Sequence, residues 1–149
     1  MSAATLPTLP CMCANFRRSS RALTQLYERA LRPFGLRATQ LTILQVLARA
    51  GDLPQGKLGE ILTMDSTSLT RTLAIMRRHG WIAYRRGEDR RERWIQLARA
   101  GETLLRRVEP VWEKVQSRLR RQLGRRDWDR FLQLTREVAS IATKQGERL

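Results

Sequence analysis

The sequence predicts a mainly α-helical fold in which one small β-hairpin separates four helices from two longer helices near the C-terminus. Three observations predict it. Apolar residues recur at helical spacing along most of the chain, and short breaks containing glycine or proline divide that pattern into segments. The period changes only between residues 81 and 97, where short runs are rich in β-branched and aromatic residues. A length of 149 residues suits one domain, or a compact domain with an appendage.

The N-terminal part predicts an arm and two helices. The first ten residues, MSAATLPTLP, contain two prolines and no charge, which indicates an extended arm. A long helix follows and ends at the breakers Pro33 and Gly35. A second helix starts near Ala38 and ends at Gly51. The first helix has an apolar face made of Phe16, Leu23, Leu26, Tyr27, Ala30, Leu31 and Phe34, and the second turns Leu41, Leu44 and Leu47 inward.

Two further helices follow a turn. The stretch GDLPQGKLGEILTM predicts a short third helix that buries Leu58, Ile61 and Leu62. The stretch MDSTSLTRTLAIMRRHGW (residues 64–81) predicts a fourth helix, capped by Asp65 or Ser66 and closed by Gly80. Its buried side carries Leu69, Leu73 and Met76.

The C-terminal part predicts a hairpin and two helices. WIAYRR and RWIQL read as two strands joined by the polar, charged tip GEDRRE. A long helix is expected after Gly101, with an apolar stripe from Leu104 to Leu123, and Gly124 breaks it. Asp127 is expected to cap a last helix whose apolar residues are Trp128, Phe131, Leu134, Val138 and Ile141.

The fourth helix begins with three hydroxyl residues in a row and then turns basic. A short helix, a tight turn and a helix with an exposed polar start form a helix-turn-helix, and the hairpin after it would be a wing. We expect Ser66, Thr67, Ser68, Thr70 and Arg71 to face the bases and phosphates of a DNA major groove, where Arg71 could bind guanine through two hydrogen bonds. The helix dipole favours a phosphate at that end. The alternative is that the hydroxyls only cap the helix and the arginines only form a solvated face.

The charge supports a polyanionic partner. The formal net charge is +15, from 29 Lys and Arg against 14 Asp and Glu. Such an excess indicates DNA, RNA or an anionic membrane surface, although a GC-rich genome also raises arginine content. No apolar run approaches the roughly 18–20 residues that span a bilayer, and we find no signal peptide. We therefore expect a cytoplasmic protein without a membrane partner.

Three segments closely resemble the MarR family of winged helix-turn-helix transcription regulators: LRPFGLRATQLTILQVLA, LGEILTMDSTSLTRTLAIMRRHGWI and DRRERWIQLARAG. The resemblance covers about residues 13–145. It implies that the helix from Ser66 to Arg78 contacts the major groove. It also implies that an Asp-x-Arg motif in the wing, here Asp89 and Arg91 with Arg90 between them, places an arginine in the minor groove. One departure is Ala98, where the family commonly has a capping threonine.

The resemblance further implies a homodimer on a two-fold symmetric operator. The expected organisation is an arm of residues 1–12 and a single domain of residues 13–149. Within that domain the winged helix-turn-helix covers about 36–99, and helices at about 13–34 and 100–146 form the dimerisation region. The residues independently indicate a dimer. A small winged domain alone could not cover the apolar surface of Trp112, Trp128, Phe131 and Leu134.

The cysteines suggest one switch. The stretch CMCANFRRSSRALTQLY resembles the organic-peroxide-sensing branch of the family, with Cys13 at the position of its reactive cysteine and Tyr27 matching a tyrosine that hydrogen-bonds the thiolate. A cysteine at a helix N-terminus near Arg17 is expected to favour the reactive thiolate. Arg17 replaces a second tyrosine of that branch, and Cys11 is outside its pattern. Cys13 could instead be a buried apolar residue or an incidental thiol. The two cysteines have no obvious partners for a metal site.

The other switch is a small ligand, because members of this family often bind aromatic acids between the dimerisation region and the winged domain. Arg21 and Tyr27 could line such a cleft, although Tyr27 could equally be a core residue. An enzyme is not expected, since the chain has one His, no plausible triad and no Gly-rich phosphate loop, and no cofactor is implied. The alternatives to a sequence-specific regulator are a nonspecific architectural DNA-binding protein and a protein-interaction module that has lost DNA binding.

Overall fold

The computed structural model describes residues 7, 9–87 and 92–146, and within them the chain forms six α-helices, one 3-10 helix and three short β-strands. The predicted mainly α-helical fold with a hairpin before the last two helices is confirmed. In chain order the elements are α1 (Met12–Leu31), the 3-10 helix (Arg32–Phe34), α2 (Ala38–Ala50), β1 (Leu53–Pro54), α3 (Gln55–Leu62), α4 (Ser66–Arg78), β2 (Ile82–Arg86), β3 (Arg93–Leu97), α5 (Arg99–Leu123) and α6 (Arg125–Gly146).

The chain divides into two compact units, residues 1–112 and 113–149, and the boundary falls within α5. The first unit contains the hydrophobic core, to which α1 to α5, the sheet and the loops between them contribute. Leucine dominates this core, and its most completely buried side chains are Leu31, Ile43, Leu44, Leu47, Leu58, Leu69, Leu73, Met76, Ile95 and Val108. The predicted inward residues of α2 and α4 are therefore confirmed.

Ile61 was expected in the core, and this prediction is wrong. Its side chain is 47% exposed, whereas Leu58 is fully buried. The buried side of α3 is formed by Leu58 and Gly59, with Leu62 half-buried beside them. Because Gly59 and Leu62 both lie on one flank of Leu58 around the helix, Ile61 falls on the other flank and faces solvent.

The sheet has three antiparallel strands in the order β1-β3-β2, rather than the two strands that the sequence predicted. The additional strand is Leu53–Pro54, which pairs with Ile95 and Trp94 of β3. Two residues are too few to show a strand period in the sequence. Their pairing joins the entry of α3 to the wing and so ties the helix-turn-helix to the sheet.

The two C-terminal helices begin at different residues from those expected. Helix α5 begins at Arg99, before Gly101, and the Glu102 amide donates to the Ala98 carbonyl at 3.0 Å. Helix α6 begins at Arg125, so Asp127 lies inside its first turn and is not the cap. Gly124 precedes that helix with φ = +80°, a conformation that glycine adopts without strain, and its carbonyl accepts from the Trp128 amide.

Candidate nucleic-acid interface

The N-terminus of α4 is capped by Asp65. This residue has extended backbone angles, and its Oδ1 accepts a 2.8 Å hydrogen bond from the Ser68 amide. That bond, together with one to the Ser68 side chain, lowers the pKa of the Asp65 carboxyl. Asp65, one of the two predicted caps, is therefore the cap, and the bond that it accepts comes from the backbone amide of Ser68. A carboxylate already occupies the positive end of the helix dipole, so the phosphate expected there would meet a negative charge.

The outward face of α4 lies opposite its buried stripe. Thr67, Arg71 and Arg78 are exposed, and at intervals of four and seven residues they project from the same side of the helix. Ala74 completes that face with a small, exposed side chain. Leu69, Leu73 and Met76 anchor the other side in the core. The result is a rigid helix that presents a hydroxyl and two guanidinium groups to solvent, with Ser66 exposed at its start.

Thr70 is held by a neighbouring helix. Nε2 of Gln55, the first residue of α3, donates a 2.8 Å hydrogen bond to Oγ1 of Thr70. The hydroxyl that the sequence assigned to DNA contact therefore also connects the two helices of the helix-turn-helix. Nothing in the sequence pattern identified Gln55, because the bond joins residues 15 positions apart.

The turn between α3 and α4 is a Schellman motif. The Met64 amide donates to the Gly59 carbonyl at 3.0 Å, and the Thr63 amide donates to the Glu60 carbonyl at 3.1 Å. Thr63 occupies the left-handed position with φ = +51°, which is rare for a β-branched residue. The motif turns the chain sharply, and Asp65 can then cap α4 two residues later.

The base of the wing is described, whereas its tip is not. Asp89, Arg90 and Arg91, the predicted minor-groove residues, lie outside the described residues. Below the tip, the indole Nε1–H of Trp94 donates to Glu92 Oε2 at 3.2 Å. A Cβ added to Gly87 would lie 2.5 Å from the same Nε1 atom, so a larger residue there would require the indole to shift.

Arg85 ties the second strand to the loop before β1. Its guanidinium lies 4.9 Å from the Trp94 ring centroid, and its Nε is 3.3 Å from Asp52 Oδ2. Both contacts involve exposed or half-buried groups, so their contribution to stability is small. These two contacts nevertheless hold the guanidinium between Trp94 of β3 and Asp52.

The other face of the wing base carries a cluster that sequence analysis missed. The guanidinium carbons of Arg77 and Arg93 lie 5.0 Å and 4.9 Å from the Tyr84 ring centroid. Arg86 lies directly opposite Arg93 in the strand register. The alternation of the predicted strands could have placed Tyr84, Arg86 and Arg93 on one face, but nothing in the sequence connects them with Arg77 of α4.

Cys11 and Cys13 are both exposed free thiols at the start of α1. Cys11 occupies the N-cap position, and the adjoining arm is held by Asn15, whose Nδ2 donates to the Leu9 carbonyl at 2.7 Å. Tyr27 lies on the same continuous helix, 14 residues or about 21 Å beyond Cys13. The structure therefore does not bring Cys13 and Tyr27 of one chain together. Tyr27 is half-buried and packs against the core.

Two of the cavities that described residues line lie in the first unit. One, of about 240 Å³, lies between α2 and α5, and its lining comprises Leu41, Gln45, Ala48, Arg49, Leu105, Arg106, Glu109 and Trp112. The other, of about 440 Å³, is lined by Glu28, Arg32, Gly35, Leu36 and Arg37. Neither lining includes Arg21 or Tyr27, the residues that the sequence suggested for a ligand cleft.

Among the described residues, no group of three or more His, Cys, Asp or Glu side chains is arranged to hold a metal ion. In the same part of the chain, no helix combines the length and the apolar character needed to cross a membrane.

Comparison with known proteins places this geometry among transcription regulators. Residues 36–92 match the sequence model of the MarR family. The M. tuberculosis transcriptional regulator MosR is 34% identical to this chain. The match with its crystal structure covers 91% of this chain and 97% of the MosR chain, with a TM-score of 0.77. The structure of MosR in complex with DNA covers 93% of this chain and 99% of MosR, with a TM-score of 0.79.

A second relative is YwoH, described as an uncharacterized HTH-type transcriptional regulator of Bacillus subtilis. It is 31% identical over 85 residues, which are 57% of this chain and 62% of YwoH. The match to YwoH is thus partial on both sides, whereas the similarity to MosR extends over nearly the whole of both chains.

Proposed function

We propose, since the chain belongs to the MarR family of transcriptional regulators, that it binds duplex DNA sequence-specifically as a homodimer and represses transcription. One observation carries the proposal. The face of α4 opposite the core presents Thr67, Arg71 and Arg78 to solvent, on a helix that is capped, packed and tied to α3. The structure of MosR with DNA supports it, because MosR resembles this chain over nearly its full length.

In this proposal α4 enters the major groove with its N-terminal half. Ser66 and Thr67 contact the DNA near the helix start, and Arg71, one turn further on, pairs with a guanine. Arg78, two turns beyond Arg71 on the same face, contacts a phosphate. Ser68 and Thr70 act mainly through Asp65 and Gln55, which hold the helix in place.

The wing supplies the second contact with DNA. Arg91 enters the adjacent minor groove and is held by an ion pair with Asp89, and Arg90 beside it also contacts the DNA. Below the tip, Trp94 lies close to Gly87 at the base of the wing. A narrow minor groove attracts arginine because its negative potential is enhanced.

The exposed apolar face of α6 is the reason for proposing a homodimer. None of its residues from 125 to 144 is buried, although Phe131, Leu134, Val138 and Ile141 recur on one face. Phe131, Leu134 and Ile141 are 41%, 46% and 56% exposed. An amphipathic helix with no buried side chain from residue 125 to residue 144 lacks the packing that stabilises helices in proteins, and a second copy of the same helix supplies it.

The experiment that tests the proposal measures DNA binding at two salt concentrations. Fluorescence anisotropy would compare a duplex from upstream of the protein's own gene with a random duplex of equal length. A specific regulator keeps a large preference for one site as salt rises. An architectural protein loses affinity steeply for both duplexes and shows little preference, and that result would overturn the proposal.

Thiol oxidation is the first of two proposed release mechanisms. Cys13 is exposed on the first turn of α1, and Cys11 lies two residues earlier. Since Tyr27 of the same chain is about 21 Å away, any hydrogen bond from a tyrosine to the Cys13 thiolate comes from the second protomer. The test is release of bound DNA by an organic hydroperoxide. Cys13→Ser abolishes this release if the mechanism is right, and release from the variant would exclude it.

An aromatic acid in the cavity between α2 and α5 is the second release mechanism. Leu41, Leu105 and Trp112 give this cavity apolar walls, and Arg49 and Arg106 provide cations for a carboxylate. Its volume of about 240 Å³ suits a single-ring molecule, because pockets for drug-sized ligands span about 300–1,000 Å³. Benzoate derivatives should then release DNA from the wild type and from Cys13→Ser alike, but not from Ala48→Phe, in which the cavity is filled.

A further inference from the structure

The cluster around Tyr84 lies where the candidate recognition helix meets the wing. Tyr84 is on β2, Arg93 is on β3, and Arg77 comes from the last turn of α4. Tyr84 and Arg86 are two residues apart and therefore project from the same face of the sheet. Arg93, the cross-strand partner of Arg86, projects from that face as well.

These arginines carry no compensating charge in the described part of the chain. The ion pairs there are Arg37 with Glu28, Lys57 with Glu60, and Arg85 with Asp52. Like charges directly opposite each other on neighbouring strands repel, so the pairing of Arg86 with Arg93 is unfavourable by itself. Three arginines around the base of the wing, none of them in an ion pair among the described residues, are suited to bind an external anion.

The contact with Tyr84 leaves the hydrogen-bonding capacity of Arg77 and Arg93 unused. A guanidinium that lies over an aromatic ring interacts through its face, whereas its five N–H donors point outward from its edge. The ring thus restricts the side chains while the donors remain available. A phosphate accepts two parallel hydrogen bonds from such an edge, and an arginine already held in place loses less entropy on binding it.

We propose that Arg77, Arg86 and Arg93, arranged around Tyr84, bind a phosphodiester group of the DNA backbone between the recognition helix and the wing. This inference rests on the proposed function. A protein that contacts a major groove and the adjacent minor groove must pass the strand of phosphates that separates them. The cluster is located at the junction of the two elements that make those contacts, and it provides positive charge there without recognising sequence.

The experiment measures the salt dependence of DNA affinity for Arg93→Gln and Arg77→Gln. Dissociation constants for the upstream duplex and for a random duplex would be measured by anisotropy at several KCl concentrations. The three arginines share one phosphate in each protomer, and each phosphate contact contributes about one unit to the slope of log Kd against log [KCl]. Each substitution should therefore reduce the slope of the dimer measurably, by at most about two. The affinity at low salt should fall by at least about tenfold, and by the same factor for both duplexes.

The control is Arg29→Gln, which removes the same charge from an exposed site on α1, outside the helix-turn-helix and the wing. Its slope should equal that of the wild type. If Arg93→Gln and Arg77→Gln also keep the wild-type slope while the wild type binds DNA, the phosphate site is excluded and the proposed function stands. If the wild type binds neither duplex, the proposed function itself fails.

A second pair of variants separates phosphate binding from a merely structural role. Tyr84→Phe retains the ring and should leave affinity and slope unchanged. Tyr84→Leu removes the ring but no charge, so the slope should stay near the wild-type value while the affinity falls several-fold. If Tyr84→Leu and Arg93→Gln lower only the melting temperature and leave both DNA parameters unchanged, the cluster only holds the sheet against α4, and the inference is wrong.

Discussion

The Gln55 side-chain amide donates a hydrogen bond of 2.8 Å to the Thr70 hydroxyl and so connects the start of α3 with the second turn of α4. Thr70→Val should remove this bond and lower the free energy of unfolding by about 0.5–1.5 kcal/mol. Gln55→Ala should have a similar effect, and the double variant should lose less than the sum, as measured by urea denaturation. If Thr70→Val weakens DNA binding while Gln55→Ala does not, Thr70 contacts DNA directly.

Arg71 lies on the outward face of α4 and is expected to discriminate between bases. Arg71→Ala should reduce the preference for the specific duplex by about 1–3 kcal/mol, because a bidentate contact with guanine contributes that much. Affinity for a random duplex should change much less. Competition binding with both duplexes measures the difference. Equal losses on the two duplexes would show that Arg71 contacts only phosphate.

The cap of α4 should depend on pH through Asp65. Its hydrogen bonds with the Ser68 amide and side chain lower its pKa from the ordinary value of 3.8. The charged carboxyl therefore contributes stability that is present above the unfolded pKa and is lost as the pH falls through the folded pKa. Asp65→Asn keeps a hydrogen-bond acceptor without the charge. The melting temperature of the wild type should exceed that of this variant at neutral pH, and the difference should vanish in acid below the folded pKa. A difference that does not change with pH would contradict the charged cap.

Gly101 is required where α5 packs against the end of the helix-turn-helix. A Cβ there would collide with the Trp81 carbonyl oxygen and lie 2.9 Å from Cδ1 of Leu97. Gly101→Ala should therefore lower the free energy of unfolding by about 1–3 kcal/mol. The matched control is Gly56→Ala in α3, because no atom lies within 4 Å of its added Cβ. Denaturation at one fixed protein concentration compares them, and equal stability of the two variants would refute the packing argument.

The dimer should depend on the apolar face of α6. Phe131→Glu and Leu134→Glu each place a charge on that face. Each substitution should convert the dimer to a monomer, as measured by light scattering during gel filtration. Ser140→Glu adds the same charge on the opposite face and should leave the dimer intact. DNA affinity should fall in parallel with the loss of the dimer. A wild-type protein with the mass of one chain would contradict the proposed assembly.

The sequence by itself determined which segments are helical and which of their sides face the core. The stripe of Leu69, Leu73 and Met76 and the breaks at Gly51 and Gly80 depend on neighbours within one or two turns, so the local pattern contains them. For the same reason, the sequence alone indicated that Asp65 lies at the start of α4. The residues that form the outward face of α4 could also be predicted, because a buried stripe leaves a defined opposite side.

Only the tertiary structure decided the contacts that join elements far apart in the chain. Strand β1 exists because β3, some forty residues later, pairs with it. The partner of Thr70 is Gln55, and the partner of Arg77 is Tyr84. Ile61 is exposed because the neighbouring elements cover only the other side of α3. Periodicity specifies which side of an element is apolar, but not which distant residue packs against that side. The arginine cluster at the base of the wing depends on such contacts between residues far apart in the sequence.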